Sequence, residues 1–401
     1  MRIRRLSFYA IGAVLALPCW ALAAPPTLKQ AVDAAWQRLP AARTAEARQD
    51  EARAARATAG SWLAANPALG LAHRLDQGAS ERQARESELS VSTSVWLPGQ
   101  KSAREALAAT GSDEAAAHLG ATRLAVAGLV RSRIWEAAAA QVKLDEKQDH
   151  LHHLEGFADE VQRRVKAGDL ARSDGLLAQQ EVQAARIEVL EARTAAVEAL
   201  ARYRVLTGLE ALPPLEPEAL QDGAAPANAR LLAAQATEQR ARAALRLAEA
   251  SRAAPPTVGL SVRREEERTW REPVRSIGLS LQVPFGGAAR NRALEAQAQT
   301  AIAGAAAEAA EARAQAGADL ALAHERLANA RSALEAATSR AAALHEHTAL
   351  YDKAFRQGER GLAELLRSRA LTHEADVAVA RQRAMLGLAH AQLNQALGIL
   401  P

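Results

Sequence analysis

Cysteine is all but missing from this chain of 401 residues: the only one is Cys19. Beyond that position a disulfide framework and thiolate chemistry are excluded. Aromatic residues make up 3%, too few to fill one thick core. Ala, Arg, Glu and Leu dominate instead, a bias toward long helices joined by thin, alanine-lined contacts. After the first two dozen residues no apolar run reaches the roughly 18 residues of a membrane helix, so any crossing of a bilayer is left to strands. Also missing are a phosphate-cradling glycine loop, a His-Glu-x-x-His motif and a Ser-His-Asp arrangement with a scaffold to hold it. Acidic side chains abound, but on helical faces they read as surface ion pairs rather than acid–base couples. The sequence predicts no catalytic residue, no cofactor and no enzyme. The formal charge of +4 does not point to nucleic acid, because Arg2, Arg4 and Arg5 supply most of it. Elsewhere opposite charges alternate along the helices without a phosphate-binding stripe.

Residues 1–24 have the layout of a secretory signal. The three arginines precede an apolar stretch from Phe8 to Leu17, and Ala21-Leu22-Ala23 offers a small-x-small cleavage site. A membrane anchor is the alternative, weakened by the shortness of the run and by Pro18. Lipidation of Cys19 is a further option, and Pro18 before it fits a lipoprotein site poorly.

Four segments alternate with period two. Leu69, Leu71 and Leu75 oppose Gly70, Ala72, Arg74 and Asp76. In Leu89–Leu97 the residues Leu89, Val91, Thr93, Val95 and Leu97 oppose Ser90, Ser92, Ser94 and Trp96. Val258, Leu260 and Val262 follow Pro255-Pro256, and Ile277, Leu279, Leu281, Val283 and Phe285 alternate with Gly278, Ser280 and Gln282. Polar or charged loops are expected over Gln77–Ser87 and Arg263–Arg271. One greasy face and one small polar face describe pieces of a membrane barrel, or a soluble sheet that pairs within one chain.

The rest is written for helices. Thr27 caps a helix that bends near Pro40 and runs to about Thr58. A helix from Lys101 to about Val165 spans on the order of 100 Å at 1.5 Å per residue. Gly168 breaks it, and Ser173–Leu206 follows, with Ile187, Leu190, Thr194 and Val197 at coiled-coil spacing. Gly208–Ala227 reads as a linker. After it come a helix to about Ala253, the second strand pair, a long helix to about Phe355, a break at Gly358 and a last helix to Leu397. The second half repeats the first: an offset of 190 carries Gly168 onto Gly358 and Gly208 onto Gly398, and Val95 matches Val283 at a slightly shorter one. The expected divisions are 1–24, a first repeat over 25–212 and a second over 213–401.

Four strands can cross a bilayer but cannot close a barrel, and open edges in lipid cost several kcal/mol for each exposed polar group. Other copies must satisfy them; three give twelve strands. The fold class is therefore mainly α with a small antiparallel β part, in which long helical hairpins build a tube and four membrane strands per chain join a barrel closed by trimerisation.

Thr27-Leu28-Lys29-Gln30-Ala31-Val32, Asn66-Pro67, Pro98-Gly99-Gln100-Lys101, Val283-Pro284-Phe285-Gly286-Gly287 and the two glycine breaks, in duplicated order, resemble the TolC-like outer-membrane efflux proteins across essentially the whole chain after the signal. The resemblance implies a homotrimer, a barrel in outer-membrane lipid, a periplasmic helical tube, and partners in a periplasmic adaptor protein and an inner-membrane pump. By position it places adaptor docking at Val165, Gly168, Leu170, Ser173 and Leu176, and at Phe355, Gly358, Leu362 and Leu365. It places a periplasmic gate at Asp174, Arg360 and Glu364. Arg367 stands where some relatives carry an acid, which argues against a cation-selecting acidic ring.

His150, His152 and His153 on one long helix and His345 and His347 on its counterpart form two clusters. His150, His153 and His345 are the candidate metal ligands, with solvent-facing histidines as the plainer reading. The compact length points toward the cation-export branch. The expectation is a passive exit duct of a tripartite efflux system. A periplasmic coiled-coil scaffold or adaptor with a small soluble sheet is the rival, and an exported enzyme a third possibility.

Overall fold

The computed structural model describes residues 25–75, 84–220, 228–267, 270 and 272–401; the expected signal segment, with Cys19, lies outside the described residues. Two short helices, α1 (Leu28–Arg38) and α2 (Pro40–Ala59), lead into strands β1 (Ala68–Leu75) and β2 (Ala84–Ser94). Helices α3 (Gln100–Ala167) and α4 (Arg172–Thr207) follow. The same order recurs as α5 (Ala229–Ala250), β3 (Thr257–Glu267), β4 (Val274–Gln282), α6 (Ala288–Arg356) and α7 (Leu362–Ala396). At 1.5 Å per residue α3 and α6 are each about 100 Å long. Among the described residues no helix is both long and apolar enough to cross a membrane.

Local chemistry sets the boundaries. Thr27 and Gln30 form a reciprocal capping box, with hydrogen bonds of 3.2 and 2.8 Å. The bend expected at Pro40 is a full break: Leu39 is extended, and Pro40 starts α2 where its missing N–H costs nothing. At the matched glycines 168 and 358, and again at 208 and 398, φ is positive, between 74° and 88°, which only glycine adopts without strain. At Gly168 the turn is a Schellman closure, Asp169 N–H donating to Arg164 O at 2.9 Å, and Glu359 N–H donates to Ala354 O at 3.0 Å in the same way.

The helices pack through small residues. Ala178, Val182, Ala185, Ala192, Ala196 and Ala199 of α4 are buried. Ile187, Leu190 and Val197, expected to form the coiled-coil seam, lie 59–63% exposed on the opposite face, and Thr194 is exposed too. Alanine wins the inner seam because it lets two backbones approach closely; the larger apolar side chains are left on the outside. Trp36, Val130, Ile134 and Tyr203 centre the thickest cluster.

The described part of the expected linker is a strap. Glu218 accepts two hydrogen bonds from the buried Arg131 guanidinium, at 2.8 and 2.7 Å, and one from Asn394 at 3.1 Å. The linker composition hid this, because the partner lies 87 residues away on α3. Further along, Gly387 lies against the ring of Trp135; a Cβ there would come within 2.0 Å of it.

The four strands form one antiparallel sheet in the order β1-β2-β3-β4, so the two repeats join through β2 and β3. β2 starts at Ala84 and ends at Ser94, shifted from the expected Leu89–Leu97. Most of the expected Arg263–Arg271 loop is strand to Glu267, and β4 ends before Val283 and Phe285. Beyond Ser94, Trp96 Nε1–H instead donates to Ser61 O at 3.0 Å. Buried Gln100 stitches the strand–helix junctions, accepting from Leu97 N–H and donating to Ala253 O at 2.7 Å.

Candidate functional site

Register converts the alternation into two surfaces. Leu71, Leu89, Val262 and Ile277 form one cross-strand row, and Leu69, Val91, Leu260 and Leu279 the next. All eight are exposed, Leu71 and Leu279 at 81% and 79%. Ser90 and Ser261 with Gly70 and Gly278 make the matching row on the other face. Along β2 that polar face is the half-buried one and the apolar face the exposed one. A sheet in water does the reverse. Among the described residues strands β1 and β4 each keep an open edge.

Charge begins where the apolar rows stop. On the polar face Arg263 bridges Glu86 at 3.0 Å, Glu88 at 3.3 Å and Glu265 at 3.2 Å. The sequence placed Glu86, Arg263 and Glu265 in loops because they are charged; the period-two pattern running on through them was the available signal.

At the opposite end the helical turns close over an apolar plug. Phe355, Leu362 and Leu365 are buried with Leu154, Phe157, Val161, Ala178 and Val182, and Val165 and Leu170 pack against them. In this chain Phe355, Leu362 and Leu365 pack inside the helical hairpins, and Val165 and Leu170 are half-buried at their edge. Gly168, Ser173, Leu176 and Gly358 are exposed, Leu176 at 58%. Of the expected gate residues, Arg360 and Glu364 pair at 3.4 Å, and Arg360 lies over the Tyr351 ring. Asp174 instead caps α4, accepting from Ala171 N–H at 3.2 Å. The strongest polar tie at this end was not read from the sequence. Asp352 of α6 accepts from Arg369 of α7 at 2.8 Å and pairs with Arg356 at 2.7 Å, while Arg369 lies 4.1 Å from the centre of the Phe157 ring on α3. Only topology brings these three helices together at that height.

The histidines are divided. His150 stacks on His373 of α7 with ring centres 3.7 Å apart and planes 8° from parallel. His345 hydrogen-bonds to Asp376 at 2.8 Å, and His153 lines the same groove of about 690 Å³ with Glu146 and Asp149. Among the described residues no group of three or more His, Cys, Asp or Glu side chains is arranged to hold a metal ion. His150, His153 and His345 are thus not assembled as a ligand set: stacking engages His150 and a hydrogen bond engages His345. Burial, then the facing His150, pushes His373 down to about 4; burial and then Lys147 lower His150. Burial and neighbouring Asp376 and Asp149 hold Glu146 above the usual carboxylate range. His373 is seventeen residues from His390, the other histidine of α7, and gave no cluster signal.

Solved structures share this fold. The MtrE outer membrane channel of Neisseria gonorrhoeae, in its open state, is 19% identical with a TM-score of 0.75, over 94% of this chain and 90% of that one. The CmeC outer membrane channel of Campylobacter jejuni is 12% identical with a TM-score of 0.75, over 99% and 93%. The outer membrane protein VceC of Vibrio cholerae is 15% identical with a TM-score of 0.74, over 92% and 96%. No protein-family model matches the chain, and no curated protein matches it. The chain shares the fold of these solved channels, the fold that the sequence resemblance implied.

Proposed function

We propose that the chain is the outer-membrane channel of a tripartite efflux system, a passive duct from periplasm to exterior. The observation that carries this is a four-stranded sheet with its apolar rows exposed, both edges open, joined to helices about 100 Å long. Unpaired strand edges in lipid demand partners, and three copies supply a twelve-stranded barrel. The open α4 stripe of Ile187, Leu190 and Val197 then packs between copies. The fold shared with the MtrE, CmeC and VceC channels supports the same reading, and with it an adaptor and an inner-membrane pump as partners. The exposed tip surface for the adaptor is Gly168, Ser173, Leu176 and Gly358, with the Arg360–Glu364 and Asp352–Arg369 pairs holding the resting duct closed. No chemistry is assigned to the chain. The compact length makes metal cations the first cargo to test.

The scaffold alternative leaves the exposed apolar rows without a purpose. Detergent extraction of the membrane fraction followed by sizing separates the two: a detergent-dependent trimer that conducts ions in planar bilayers is expected. A monomer in the soluble periplasmic fraction would overturn the proposal.

A further inference from the structure

One turn of the period-two pattern beyond the last apolar row, on the same outward face, lies the cross-strand row His73, Ser87, Arg264 and Arg275. It sits about 7 Å along the strands from Val262 and Ile277. His73 Nδ1 and Ser87 Oγ are hydrogen-bonded at 2.9 Å. Arg264 and Arg275 are direct antiparallel partners, a like-charge pairing that destabilises a sheet unless an anion relieves it. Glu266 pairs with Arg264 from the next outward position. Among the described residues Arg275 has no carboxylate partner, and neither has exposed Arg85, which faces Glu266 across the strands. On the inward face, by contrast, Arg263 is matched by three carboxylates. Among the described residues the excess of positive charge is therefore on the side that carries the apolar rows, at their outer edge.

We propose that this row, with Arg85, binds the phosphate of an anionic lipid headgroup. The inference rests on the apolar face being immersed in lipid. Acyl chains then lie against Leu71, Leu89, Val262 and Ile277, which brings the headgroup to the height of the arginines. A guanidinium offers a phosphate two parallel N–H donors, and one phosphate between Arg264 and Arg275 turns a repulsion into a bridge. The lipid's two parts match the surface in order: chain against apolar row, phosphate against basic row. A free phosphate uses only the second.

The test is native mass spectrometry of the full chain in zwitterionic detergent, with bis-phosphorylated lipid A, its fully dephosphorylated form, and inorganic phosphate as competitor. The wild type is expected to retain the phosphorylated lipid at least about tenfold better than the dephosphorylated one, undisturbed by millimolar inorganic phosphate. Arg264→Gln/Arg275→Gln is expected to weaken binding roughly twenty-fivefold, from about fivefold for each charge, and Arg264→Lys/Arg275→Lys, which keeps the charge but loses the two-donor fork, to fall between it and the wild type. Equal retention of the dephosphorylated lipid, unchanged binding by the Gln double variant, or displacement by inorganic phosphate would overturn the proposal. A fluorophore at Leu260→Cys, quenched by brominated lipid in bilayers, separates the two levels. Quenching retained in the Gln double variant shows that its lost binding is not misfolding. No quenching in the otherwise wild-type protein would overturn both this inference and the channel reading.

Discussion

Acidification should part α3 from α7 at the His150–His373 stack. Burial first, then neighbouring charge that includes Lys147, disfavours a proton on either ring of the stack. A lowered folded-state value makes the direction definite: the contact is intact above the ordinary histidine value of 6.5 and weakens as pH falls toward about 4, where His373 takes up its proton. That gap sets a ceiling of about 3.4 kcal/mol at 1.36 kcal/mol per pH unit. The ring is only half-buried, so solvent screening leaves roughly 1–2 kcal/mol. Asp376, Glu146 and Asp149 line the same groove and Glu188 of α4 faces the pair; they soften the loss without reversing it. Nitroxides at Asp159→Cys on α3 and Ala370→Cys on α7, in a Cys19→Ser background, report the separation by pulsed EPR. The interhelical distance should broaden and lengthen between pH 7.5 and 4.5. In His150→Phe/His373→Phe, which keeps stacked rings without the protons, it should stay constant. An unchanged wild-type distance, or the same change in the double variant, would refute the reasoning.

Three further outcomes follow from packing. Glu218→Ala strands the 2%-exposed Arg131 guanidinium and should cost about 3–5 kcal/mol, read as an earlier loss of helical circular dichroism on heating; Arg131→Met/Glu218→Met should recover much of it. Gly387→Ala should cost about 1–3 kcal/mol, since the clash with Trp135 exceeds the gain of up to about 1 kcal/mol in helix propensity; Trp135→Leu should relieve it in thermal melts. Leu190→Asp, on the exposed stripe of α4, should leave helicity unchanged and abolish the trimer on sizing in detergent; a trimer of unchanged size would mean that this face is not between copies.

The long elements were legible because their signals are local. A capping box at Thr27, Pro40 at a helix start and positive-φ glycines at 168 and 358 each act within a few residues. Strand existence was legible from alternation, but strand ends were not: Arg263–Glu267 stay in the sheet because Glu86 and Glu88 on a distant strand neutralise Arg263. The same limit governed the site. Arg360–Glu364 is a one-turn helical pair and could be read directly, whereas Asp352–Arg369, Arg131–Glu218 and His150–His373 depend on which helices become neighbours. The burial of Phe355, Leu362 and Leu365 was not legible either, because apolar residues beside a turn look the same whether they pack inward or face out.

The central claim is that the apolar rows of the sheet face lipid while the serine rows face water. Fluorophores attached at Leu260→Cys and at Ser261→Cys, adjacent residues of β3, test it in bilayers carrying brominated lipids, with iodide in the aqueous phase. The account predicts quenching of the Leu260 probe by lipid and not by iodide, and of the Ser261 probe by iodide and not by lipid. Iodide quenching of both, or lipid quenching of neither, would contradict it.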